Sequence, residues 1–220
     1  NYKESQIIND YEKSFKRLIF LDYEGTLPSK NSGQGTRMNN LLRGREPSEK
    51  ILGLLKELVA DKKNKVFIVA GKGYRELTEW FGKVKQLGLA AEHGFLYCIN
   101  NQDAKWKRTI EKCDTEWRRN CANIIIPYTQ RCEGSFLEIK ESSVVWQYSE
   151  CDQELGKEFA SVITSELEIE LKNENVKVTN GKGYVEVGTL GINKGIFISY
   201  ILKEMVRNKN KIADFIVCVG

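Results

Sequence analysis

The chain has 220 residues and a formal net charge of +4, with 34 Lys plus Arg interleaved among 30 Asp plus Glu; 41% hydrophobic content supports one larger domain or one domain carrying an insert. No basic block is dense enough for nucleic acid or a membrane surface: Lys62, Lys63 and Lys65, and Arg207, Lys209 and Lys211, are short runs ahead of apolar segments that read as solvated loops, and no apolar run approaches membrane-spanning length. Six cysteines without a C-x-x-C pair fit reduced thiols in a cytoplasmic protein, and a single histidine, His93, excludes a multi-histidine metal site and leaves oxygen ligands as the default.

The N-terminus has no signal-peptide core and no initiator methionine, so the chain is expected to begin inside a longer polypeptide. The first clear element is Leu18-Ile19-Phe20-Leu21-Asp22-Tyr23-Glu24-Gly25-Thr26-Leu27, an apolar run ending on two carboxylates, a glycine and a threonine. Four apolar residues in a row mark a strand covered on both faces, which would deliver its acids to the carboxyl edge of an α/β sheet, where such sheets bind ligands. A long Asn, Ser and Gly-rich loop is expected over 28–46, then a helix with Pro47 in its first turn and Ile51, Leu54, Leu55, Leu58 and Val59 on one face. A second strand, Val66-Phe67-Ile68-Val69, completes a parallel βαβ unit and closes on Ala70-Gly71-Lys72. A helix over 74–84, a strand over 87–91, a tight Glu92-His93-Gly94 turn and a strand over 95–99 follow.

From residue 100 to 186 the pattern changes to half-exposed alternation, as antiparallel sheets show. Helices are expected over 115–128 and 152–171, strands over 136–140 and 144–148, and a hairpin from 176–179 and 184–187 around Asn180-Gly181-Lys182-Gly183. The parallel style returns where Gly191-Ile192-Asn193-Lys194-Gly195 opens a helix to 206, and 215–219 reads as a last buried strand. The expected organisation is an α/β core, 1–99 with 187–220, interrupted by an α/β cap over 100–186.

Phosphoryl transfer through a carboxylate needs a nucleophile, an acid for the leaving oxygen and cations to hold the phosphoryl oxygens. Asp22 suits the first role and Lys194, at a helix start where free amides also favour an anion, the third, while the second is what the resemblance below implies for Glu24. Amides near Gly25 and Thr26 are expected to face phosphate. The string resembles the first motif of haloacid dehalogenase-type phosphatases, Asp-x-Asp-Gly-Thr, with Glu24 in place of the second aspartate. Residues 66–72 resemble the second motif, with Ala70 where a hydroxyl residue binds the phosphoryl group. The resemblance implies a Rossmann-like core with a parallel sheet plus the inserted cap, and Mg²⁺ held by Asp22 and the backbone carbonyl of Glu24.

The likeness extends to trehalose-6-phosphate phosphatases, and to the phosphatase-like domain that follows the synthase in fused trehalose-phosphate proteins. It is carried by Leu89-Ala90-Ala91-Glu92-His93-Gly94, by the segment over 133–148, and by Tyr184-Val185-Glu186-Val187 with Gly191-Ile192-Asn193-Lys194-Gly195. It implies phosphate contacts at Gly25, Thr26, Gly71 and Lys72, and sugar contacts by Glu138, Lys140 and Glu186 with His93 nearby. It also implies trehalose 6-phosphate or a related sugar phosphate as ligand and a synthase domain as fused or associated partner. On their own, Glu138 and Lys140 at spacing two fit a cross-strand ion pair as well as polyol binding, and Trp146 and Tyr148 fit core packing as well as sugar stacking.

The extra methylene of Glu24 matters because a misplacement of ~1 Å costs on the order of 100-fold in rate. The hydroxyl absent at Ala70 would supply about 1.5–3 kcal/mol if fully used in the transition state. The preferred expectation is therefore a domain that binds trehalose 6-phosphate and hydrolyses it weakly or not at all. An active phosphatase and a ligand-free structural domain remain the alternatives.

Overall fold

The structure, a computed structural model, describes residues 4–27, 46–102, 105–110, 114–207 and 212–220. The loop expected over 28–46 lies, but for Glu46, outside the described residues, as do Cys113, Lys209 and Lys211. Two compact units divide the chain: Asn1–Thr109 with Asn193–Gly220, and Ile110–Ile192. The first boundary falls later than the expected 99/100 because β4 (Leu96–Cys98) is followed by β5 (Lys107–Arg108), which pairs back onto it. The second falls later than 186/187 because the last strand of the inserted sheet runs on to Thr189. No helix among the described residues is long and apolar enough to cross a membrane.

In the first unit, α1 (Glu4–Lys13) precedes β1 (Arg17–Asp22), α2 (Glu49–Ala60), β2 (Asn64–Val69), α3 (Tyr74–Phe81) and β3 (Gly88–Ala91), with β4 and β5 as above. After the inserted unit come α6 (Lys194–Arg207) and β10 (Phe215–Val219). The sheet order is β10-β1-β2-β3-β4-β5, parallel from β10 to β3 and antiparallel beyond. The unbroken apolar run of β1 reflects cover on both faces. Leu18 and Phe20 join Phe67, Val69, Tyr97 and, from α6, Phe197 and Ile201 in one cluster. Just past the strand, Tyr23 is buried against Trp80 and Phe81 of α3, ring centres 5.4 and 5.6 Å away. That burial pushes the Tyr23 hydroxyl pKa well up from its ordinary value, with the Glu24 charge adding to the effect.

Several expectations are corrected here. Pro47 lies outside α2, because Ser48 takes the N-cap position and its side chain accepts from the Ile51 amide at 3.3 Å. β10 is not a fully buried strand: Ile216 and Val219 are each 46% exposed, since β10 pairs only with β1 among the described residues. α1 carries no expected apolar face: it has no fully buried residue and is held by Tyr11. The Tyr11 ring meets Phe215 edge-on at 5.7 Å and carries the Arg17 guanidinium 3.8 Å from its centre. Arg17 in turn pairs with Asp61 at 2.8 Å.

The second unit contains α4 (Trp117–Arg131), β6 (Phe136–Ile139), β7 (Ser143–Gln147), α5 (Gln153–Glu170), β8 (Val176–Gly181) and β9 (Tyr184–Thr189). Its antiparallel sheet has the order β6-β7-β9-β8. Trp117, Cys121 and Ile125 on α4 and Phe159, Ile163 and Leu167 on α5 recur at helical spacing and form one core with Val144, Trp146, Val185 and Val187. Asp152 caps α5, accepting from the amides of Glu154 and Leu155 at 3.1 and 2.9 Å. Trp146 and Tyr148 stack at 4.9 Å inside this core, which settles their role as packing. The five described cysteines form no disulfide, and burial pushes the Cys121 thiol pKa up to about 12, which makes it an inert packing group.

Two outcomes test this account. Phe197→Ala, which empties a site shared with Phe20, Phe67 and Tyr97, is expected to cost about 3–5 kcal/mol in urea unfolding. Asp214 accepts from the amides of Phe15 and Lys16 at 3.0 and 2.8 Å, tying the start of β10 to that of β1 and lowering its carboxyl pKa below the usual 3.8. A lowered folded pKa means stability that is fully present above pH 3.8 and is lost as pH falls through the folded value. Urea midpoints should show Asp214→Ala less stable than wild type at pH 7, with the gap closing below pH 3.8.

Candidate functional site

The parallel register sets the carboxyl ends of three strands level. Asp22 pairs with Val69 across β1 and β2, Leu21 pairs with Val219 across β1 and β10, and the Tyr23 amide extends the ladder to the Val69 carbonyl at 3.2 Å. Continuing that register puts Glu24 level with Gly71. Gly220 backs onto Asp22 so closely that a Cβ there would lie 2.7 Å from the aspartate Cβ.

Asp22 and Lys194 are brought together, with Oδ1 and Nζ 2.5 Å apart and both side chains partly exposed. The start of α6 is fixed by Asn193, whose side chain accepts from the Ile196 amide at 2.9 Å and whose carbonyl accepts from Phe197 at 3.0 Å. Asn193 therefore positions Lys194, a role that an asparagine just ahead of a helix start signals in sequence. The ammonium is held against a carboxylate at a helix N-terminus, where α6 also favours negative charge.

The Glu24 side chain turns across to the neighbouring loop. Its Oε1 and Oε2 accept from the Gly71 amide at 2.9 and 3.1 Å. Gly71 also lets the His93 ring approach closely: a Cβ there would lie 2.9 Å from His93 Cε1, while Glu24 Oε1 at 3.6 Å would be in ordinary contact. The imidazole is thus set against Gly71 by a backbone conformation that side-chain-bearing residues rarely adopt. Glu92 and His93 have φ of 49° and 58°, followed by Gly94 at 99°. Such a conformation costs on the order of 1–3 kcal/mol per residue. It is held by hydrogen bonds from the Glu92 amide to the Lys72 carbonyl, 2.9 Å, and from the His93 amide to the Ala70 carbonyl, 2.8 Å.

The remaining site residues are placed less simply. Gly25, with φ of 79°, makes the turn after Glu24, but the Thr26 amide donates to the Tyr23 carbonyl at 3.2 Å and is used within the turn rather than facing a ligand. Ala70 is completely buried, its amide bonded to the Ala90 carbonyl at 2.9 Å. Lys72 follows on the same loop, half-buried. In the inserted unit, register brings Glu138, Val145 and Glu186 into one row across β6, β7 and β9, so both acids lie on the sheet face opposite the helices. Lys140 lies beside them, its Nζ 3.5 Å from Glu138 Oε1.

Mg²⁺ does not find a complete site in these residues. Among the described residues no group of three His, Cys, Asp or Glu side chains could hold a metal, and the Asp22 and Glu24 carboxylates are engaged by Lys194 and the Gly71 amide.

The family model for trehalose-phosphatase matches residues 20–220. Among known proteins, the chain is 36% identical over 214 residues to an Arabidopsis thaliana protein named probable alpha,alpha-trehalose-phosphate synthase (UDP-forming) 7, covering 97% of this chain and 24% of that one. It thus spans about a quarter of the length of that relative. The C-terminal domain of a C. albicans trehalose-6-phosphate phosphatase superposes with a TM-score of 0.79 at 28% identity, over 100% of this chain and 74% of that one. A haloacid dehalogenase-like hydrolase from Bacteroides thetaiotaomicron shares the fold, with a TM-score of 0.62 at 14% identity over 93% of this chain and 81% of that one. The strand-end motifs, the sheet order and these matches agree: the chain belongs to the trehalose-phosphatase family and has the haloacid dehalogenase-like α/β fold.

Proposed function

We propose that this domain binds trehalose 6-phosphate, hydrolyses it slowly or not at all, and regulates an attached trehalose-phosphate synthase. The observation that carries this reading is the intact Asp22–Lys194 pair beside a Glu24 whose carboxylate is tied to the Gly71 amide. Lys194 supplies a cation for phosphoryl oxygens, and Asp22 stands where a nucleophile would attack phosphorus. The general acid is the defective part. A carboxyl bonded to a backbone amide must leave that donor before it can protonate a leaving oxygen, and it does so from a longer side chain than the family motif uses. The closed, hydroxyl-free position of Ala70 removes a further phosphoryl contact.

The ligand's sugar portion is inferred from family membership and from the Glu138, Lys140 and Glu186 row, which offers acceptors and a donor suited to hydroxyl groups. The synthase name of the matched relative, and the quarter of its length that the match occupies, support an attached synthase. Mg²⁺, the ion used by phosphatases of this fold, is proposed as the cofactor only with donors beyond those described.

Phosphate release from trehalose 6-phosphate with Mg²⁺ present is expected to be roughly 100-fold or more slower for wild type than for Glu24→Asp with Ala70→Ser. Adding Asp22→Asn should abolish the restored activity. Turnover by wild type at ordinary enzyme rates, dependent on Asp22, would make the domain an active phosphatase instead. In calorimetric titration, Lys194→Ala should weaken trehalose 6-phosphate binding by about 10- to 100-fold, the loss of one charge-assisted contact. Wild type showing no saturable binding would reduce the domain to a structural role.

A further inference from the structure

Many of the backbone amides around this sheet edge are committed to the fold. Tyr23 donates to Val69, Thr26 and Leu27 to Tyr23, Ala70 to Ala90, Glu92 to Lys72 and His93 to Ala70. Each of these partners is a carbonyl, so exchanging any of them for a ligand would undo a turn or a strand pairing. The Gly71 amide differs in kind, because it donates to the two carboxylate oxygens of Glu24, a side chain on an exposed turn. Rotation about the Glu24 side chain breaks this contact without moving the backbone. The partner is also an anion, and it shares one N–H between two oxygens while a carboxylate has about four acceptor sites to offer. Such a contact is easily traded for another anion with equal or better acceptors, and Lys194, at the start of α6, stands at the same sheet edge to assist one.

We propose that the Glu24 carboxylate is an internal stand-in for a phosphoryl group, occupying the Gly71 amide so that a phosphorylated ligand binds at this edge only by displacing it. This rests on the phosphate-binding reading above and adds to it the residue that sets the affinity. A longer acid at position 24 does more than misplace a general acid: it competes with the substrate for a donor. The apparent affinity for phosphate is then the intrinsic affinity scaled by the fraction of molecules in which Gly71 is released. A side chain at 71 would have to displace the His93 ring that lines the same spot.

The test uses the full ¹⁵N-labelled chain, orthophosphate as the probe, and the variants Glu24→Ala and Glu24→Gln. The exposed position of Glu24 leaves the fold intact, which thermal melts check. Glu24→Ala is expected to bind orthophosphate about 10-fold more tightly than wild type, with Glu24→Gln between them. The Gly71 amide resonance of wild type should lie at low field, move upfield in Glu24→Ala, and return on saturation with orthophosphate. Equal or weaker phosphate binding by Glu24→Ala, or a Gly71 resonance that ignores both substitution and phosphate, would overturn the proposal. Trehalose 6-phosphate separates the two readings. If it binds no better than orthophosphate while orthophosphate still displaces Glu24, the sugar assignment falls and the exchange at Gly71 stands.

Discussion

The parallel pairing of β1 between β2 and β10 is the constraint from which the rest of the site follows. It sets Asp22 opposite Val69, and it lets the Tyr23 amide continue the ladder one step beyond the strand. Because side chains alternate along a strand, a slip of one residue would turn Asp22 into the space now filled by its apolar neighbours. Such a slip is opposed by Phe20 stacked on Phe67 at 5.5 Å and by Tyr23 locked under α3. The chemistry at the edge is therefore held by apolar packing beneath it.

That packing also explains what was legible in the sequence. Runs such as Leu18 to Leu21 and Val66 to Val69 announce themselves because burial on both faces leaves no room for a polar residue. By contrast, β5 consists of two exposed basic residues, Lys107 and Arg108, and exists only through its pairing with β4. α1 likewise depends on Tyr11 reaching Phe215 and Arg17, contacts that no local pattern encodes. β10 shows the reverse case, since its composition is that of a covered strand while the described residues cover it incompletely. Composition records what a segment tolerates, and neighbours decide what it receives.

At the site, the motif residues were readable and their relations were not. Asp22 and Lys194 meet as their types suggest, because opposite charges at converging strand and helix ends attract. The bond from Gly71 to Glu24 depends on register, which a linear spacing does not express, and the His93 ring comes to the same spot from a separate turn. In the inserted unit Glu138 and Lys140 pair with each other. A 3.5 Å contact on a half-exposed face satisfies the charges while leaving acceptor capacity on the carboxylate.

The contact between Gly94 and α6 carries a consequence for motion. A Cβ at residue 94 would lie 2.2 Å from Phe197 Cβ, so the turn that presents His93 is pressed directly onto the first turn of the helix that presents Lys194. Close-packed interiors compress little and pass displacement on. The imidazole and the ammonium thus belong to one mechanical element, and a shift of α6 along its axis would carry the 92–94 turn with it. Any drift that separates Lys194 from Asp22 would at the same time reshape the surroundings of Gly71.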